Sequence, residues 1–185
     1  MNKVLKYAAI SGIVSFMMTG PVLLGEYFLS KGMPDPYKML YAAVIFTAFV
    51  FYTIFAWGFK IIGEKYQIKL LVVTSLLSIA LAFISNAMDI VKIFFSTSGL
   101  QWYTIILLVI FGVTGIFFGI GMLKLKPRFG ALAQAAGVLE IICGISFVTL
   151  ILSLIGVLLQ IPIYILEVML LFKAAKEDDR PAAAQ

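Results

Sequence analysis

The sequence contains no histidine, one cysteine and few charges of either sign. The missing histidines exclude imidazole ligation of haem or zinc and remove the commonest general base. The lone Cys143 cannot close an intrachain disulfide, and within an apolar run, with no histidine to activate it, its thiol is expected to be inert. Charged residues make up 12% of the 185 positions, half of the roughly 25% typical of soluble domains. A water-soluble globule of this length could not cover its surface with so little charge. A cytosolic enzyme, a secreted disulfide scaffold and a nucleic-acid reader are therefore excluded. His-Glu-x-x-His, Gly-x-Ser-x-Gly, Gly-x-Gly-Asp and Walker patterns are all absent, so no catalytic residue, metal site or cofactor is expected.

What is present is apolar: 63% of residues are hydrophobic and the mean hydropathy is +1.10. The expected class is all-α, a polytopic transmembrane helical bundle forming one domain over residues 1–173, with a polar tail at 174–185. Spanning helices need about 20 apolar residues, and candidates lie at roughly 6–29, 38–60, 69–94, 101–123, 130–150 and 154–173. The first four are divided by Lys31-Gly32-Met33-Pro34-Asp35-Pro36, Gly63-Glu64-Lys65-Tyr66-Gln67, Ser96-Thr97-Ser98-Gly99 and Lys124-Leu125-Lys126-Pro127-Arg128. The stretch 129–173 has no charged break. As one helix it would reach about 67 Å, twice the hydrocarbon thickness, so a turn is expected around Leu150 to Gly156. The alternative is five spans plus a surface helix.

Basic residues decide between the two. With six spans and both termini inside, Lys3, Lys6, Lys60, Lys65, Lys69, Lys124, Lys126, Arg128, Lys173, Lys176 and Arg180 face the cytoplasm, against Lys31, Lys38 and Lys92 outside: 11 to 3. Five spans give 8 to 6. The positive-inside rule selects six spans, N-in and C-in, in a prokaryotic inner membrane. The segment behind Lys3 and Lys6 looks like a signal peptide but lacks a small-x-small site, and is read as a retained first span. A faint echo between Asp89-Ile90-Val91 and Glu167-Val168-Met169 is at chance level as an inverted repeat.

Polar side chains inside spans are the informative positions, because each needs a partner in lipid. Ser11, Ser15, Thr19 and Glu26 share a face of the first span, and Thr74, Ser78, Ser85 and Asp89 share a face of the third, with Asn86 beside them. The expectation is an outward-facing cleft lined by spans one, three, five and six, with Glu26 and Asp89 at its mouth. The competing reading is ordinary packing, with Asp89 paired to Lys92. In the last hairpin Glu140 falls level with Gln160, and Gln134 with Glu167, which would give each carboxyl an amide partner. Glu140 lies near the midplane beside Ala133, Gly137 and Gly144. It is the first candidate for a proton-carrying or ligand-anchoring group, against a purely structural Glu–Gln bridge.

Gly112, Gly115 and Gly119 form a close-packing face, suited to a helix interface in the bundle or a homodimer. Pro21 and Pro162 interrupt two spans and free the carbonyls of Met17 and Leu158. The aromatic second span reads as lipid-facing, or else as one wall of a pocket for a flat apolar ligand. Lys124, Lys126 and Arg128 suit anionic lipid headgroups. The leading expectation is a protein that binds or translocates a small solute, lipid or ion. A non-catalytic accessory subunit that packs against partner helices is the alternative, and an intramembrane enzyme the remote third. Expected partners are membrane lipids, a small solute or cation, and a second copy or partner subunit, with no nucleic acid.

Overall fold

The computed structural model describes residues 2–95 and 101–177, so the Ser96–Gly99 break and Arg180 lie outside the described residues. The described chain is helical throughout, in the order α1 (Asn2–Ser30), α2 (Asp35–Lys65), α3 (Lys69–Phe95), α4 (Gln101–Leu123), α5 (Lys126–Phe129), α6 (Ala131–Val148) and α7 (Ser153–Glu177). All but the one-turn α5 are long and apolar enough to cross a membrane. Six spans are therefore present, and the uncharged stretch does turn, at Thr149–Leu152. Leu150 takes a left-handed backbone there (φ 57°). α7 runs on to Glu177, and Ala174 and Ala175 near its end are still buried in the bundle.

Each spanning helix packs on its neighbours in the chain, and α1 also packs on α7, which closes the six into a ring. Helices α4 and α6 approach most closely. A Cβ built on Gly112 or Gly119 would lie 2.7 or 2.6 Å from the carbonyl oxygen of Gly144 or Gly137, and the reverse contacts are equally short. Two pairs of glycines, each seven residues apart, thus mesh in an antiparallel register. The expected small-residue faces are consumed by each other inside the bundle.

The short α5 and Gly130 carry the chain from α4 into α6. Gly130 has φ 65° and ψ −140°, a region essentially restricted to glycine. Gly130→Ala is expected to cost about 1–3 kcal/mol although no atom blocks the methyl. Thermal unfolding in mild detergent would show this against Gly20→Ala, which sits in an open helical position and should gain up to about 1 kcal/mol.

The lysine-bearing ends of the helices gather on one side, called here the basic end. Tyr66 donates a hydrogen bond to Glu177 at 3.3 Å, and Lys173 donates to the Phe129 carbonyl at 3.0 Å. The Arg128 guanidinium lies 5.7 Å from the Tyr66 ring centre. Partial burial outweighs the neighbouring charges and raises the Tyr66 phenol above its ordinary value, so it stays a donor.

Packing is uneven along the bundle axis. In the half nearest the basic end one core joins all six spans, through Leu5, Phe59, Leu71, Met122, Ala133 and Leu171 among others. In the other half the core divides. Tyr41, Ile45 and Ile93 pack with residues of α1, while Cys143, Phe147 and Ile163 pack with Leu108 of α4. The ring is therefore two three-helix units, α1–α3 and α4–α7, whose cores merge at the basic end and stay distinct opposite it, where Tyr103 of α4 still bridges to Asp89 of α3.

Candidate functional site

A cavity of about 440 Å³ lies between the two units. Its lining comes from α2, α3, α4, α6 and α7. The expected lining by spans one, three, five and six is corrected here: α2 and α4 contribute, and α1 does not. Ser11 and Ser15 of α1 are buried but lie outside the cavity lining, beside Phe16, whose ring packs on Tyr164 at 5.6 Å. Gly12 lets α1 sit on Phe55 and Val168. A hydroxyl stripe serves helix packing as well as it serves a cleft, and in α1 it serves packing.

Two carboxyls face this cavity. Glu140 lies about 14 Å along α6 from Ala131, close to the middle of a hydrocarbon layer about 30 Å thick. Its carboxyl fits over Gly115, where an added Cβ would stand 3.2 Å from Oε1. Glu167 of α7 is 6% exposed, and the charges of Glu140 and Glu167 act on one another. Among the described residues no hydrogen bond or ion pair reaches either carboxyl. The expected amide–carboxyl bridges are thus absent among them. Gln160 does line the cavity with Glu140, but Gln134 is exposed and lies outside it. The six-residue spacing of Gln134 and Glu140 turns them about 120° apart on α6, so only one can point inward.

Around the acids stand Tyr52 and Tyr164, which sequence reasoning missed. Both line the cavity together with Glu140, Glu167 and Ser78. Tyr164 stacks on Phe55 at 5.4 Å with the rings 14° apart. A usable signal existed for Tyr164, which lies three residues before Glu167 and so on the same helical face. For Tyr52 none stood out from its aromatic surroundings. The aromatic second span is accordingly divided: Tyr52, Phe55 and Phe59 form a cavity wall, while Phe46 and Trp57 point outward at 59% and 44% exposure.

Other polar groups are committed to their own helices. Ser75 donates to the Leu71 carbonyl at 2.7 Å, and Asn86 to that of Ala82 at 2.6 Å. Asn86 and Ser85 still border the cavity. Neither Glu26 nor Asp89 does. Glu26 is exposed. Asp89 accepts hydrogen bonds from Lys92 and Tyr103, both at 3.1 Å, so the packing alternative holds for this acid. Helices α1 and α7 continue through Pro21 and Pro162. Pro162 leaves the Leu158 carbonyl without its helical donor, two residues before Gln160 in the wall.

At the basic end the cavity closes on Phe59 and Phe118, 1% and 9% exposed, whose rings meet edge to face at 5.3 Å. Its opposite end is bounded by Val157 and Gln160, both exposed. The arrangement is a cavity lined in part by aromatic rings, closed at the basic end by Phe59 and Phe118, with two acids and no lysine or arginine in its lining. Six apolar helices and this buried interior define an integral membrane protein. No family model, curated protein or solved structure matches the chain.

Proposed function

We propose that the protein binds a small solute in this cavity and carries it across, or holds it within, a prokaryotic cytoplasmic membrane, with the basic end inside. The observation that carries this reading is Glu167, buried and without a hydrogen-bond partner among the described residues, lining with Glu140 a space large enough for a ligand. Two adjacent carboxyls in a dry interior contribute little to stability, since neither has a group to pair with. Closure at the basic end, where the buried Phe59 and Phe118 rings meet, supports the same reading, because a carrier must be closed at one end while it loads at the other. The accessory-subunit alternative leaned on exposed glycine faces, and those glycines mesh within the bundle.

Glu167→Gln separates the two roles. For a ligand anchor, melting in mild detergent is expected to stay within about 0.5 kcal/mol of wild type or to rise, while ligand-dependent stabilisation disappears. A structural acid gives the opposite result: stability falls by about 3 kcal/mol or more, as for a broken buried pair. Unchanged melting of the wild-type protein across a panel of cations, amines, anions and lipids would overturn the binding reading itself.

A further inference from the structure

We propose that the solute is an organic cation, an ammonium group on an aromatic or apolar body, held between Glu140 and Glu167. This rests on the binding role proposed for the cavity and names the chemistry that fits it. Three observations converge. The ionisable groups of the lining are the carboxyls of Glu140 and Glu167, the phenols of Tyr52 and Tyr164 and the thiol of Cys143, none of which can become cationic, so the cavity favours a positive occupant and opposes an anion. Glu167 is more than nine-tenths buried, unpartnered and aimed into the space, as expected of a group awaiting a charged ligand. The lining also carries Tyr52, Tyr164, Phe55, Phe111 and Phe147 among its serine, amide and aliphatic members, and ring faces attract ammonium groups.

An inorganic ion fits less well. Calcium takes six to eight oxygen ligands and magnesium a tight octahedron, and the described residues contain no cluster of three or more metal-ligating side chains. A bare monovalent ion would leave most of about 440 Å³ and its ring surface facing water. An ammonium on a ring uses both parts of the cavity. Of the three lysines on the mouth side, Lys38 is paired to Asp35 and Lys92 to Asp89, while Lys31 lies over the Tyr27 ring and outside the cavity lining.

The test uses the whole protein in lipid nanodiscs, titrated with benzyltrimethylammonium, with the anion phenylacetate, with neutral benzyl alcohol and with sodium chloride. Calorimetry and thermal stability are the readouts. Saturable binding of benzyltrimethylammonium alone is expected, weakened at least tenfold in Glu140→Gln and in Glu167→Gln without loss of fold. Binding of phenylacetate or benzyl alcohol as tight as that of the ammonium would overturn the cation assignment and leave a binding cavity. Saturable sodium binding with no response to the ammonium would overturn the organic part. Silence across the panel would overturn both the assignment and the binding role. If a carboxamide variant fails to fold, the wild-type comparison of the four probes decides the question alone.

Discussion

Gly144→Val is expected to abolish the folded bundle, with little monodisperse protein recovered in mild detergent. A Cβ on Gly144 would already stand 2.5 Å from the Gly112 carbonyl oxygen and 2.9 Å from the Ile116 nitrogen. Both are backbone atoms of α4 and cannot swing aside as a side chain can. Overpacking a flexible core costs about 1–3 kcal/mol; against a fixed helix, with valine's two further methyls, the upper end or beyond is expected. The damage reaches the site directly, because Gly144 borders the cavity and the same α4–α6 contact seats the Glu140 carboxyl over Gly115. Size-exclusion profiles and thermal unfolding, with Gly20→Ala as the control, measure it. A fully folded, wild-type-stable Gly144→Val would contradict the interface.

Phe59→Ala carries the second large effect, expected at about 3–5 kcal/mol of destabilisation. The ring is 1% exposed and meets Phe55 at 5.4 Å and Phe118 at 5.3 Å, edge to face in both cases. In a bilayer the loss is of packing rather than of burial from water, since lipid is as apolar as the core. Removing the ring also lengthens the cavity toward the basic end, because Phe59 is part of its floor. Phe46→Ala, on the lipid side of the same helix at 59% exposure, should leave unfolding within about 0.5 kcal/mol of wild type. Equal effects of the two substitutions would contradict the assignment of inner and outer faces on α2.

The spans were legible because run length and break chemistry depend on local sequence alone. Even the uncharged turn followed from length, since no helix of 45 residues fits a bilayer. The site was legible in part. Depth along a helix is a matter of counting, and it marked Glu140, Gln160 and Glu167 as buried candidates. Rotation about each helix axis is not local. It is fixed by how α4 and α6 mesh through Gly112, Gly119, Gly137 and Gly144, and that contact turns Glu140 toward Glu167 and leaves Gln134 outside. The serine face of α1 was misplaced for the same reason: its polarity is plain in the sequence, but that it packs outside the cavity, with Phe16 against Tyr164, depends on α7 closing the ring.

The central claim is that the acids lie in a cavity reached from the end opposite the lysines and sealed at the basic end. Ser78→Cys on a Cys143→Ser background places one thiol beside Tyr52, deep in that cavity. In oriented membrane vesicles, the impermeant 2-(trimethylammonium)ethyl methanethiosulfonate should label this thiol from the outer face and not from the face bearing the basic end. Labelling from the basic face, or from neither face, would contradict the account.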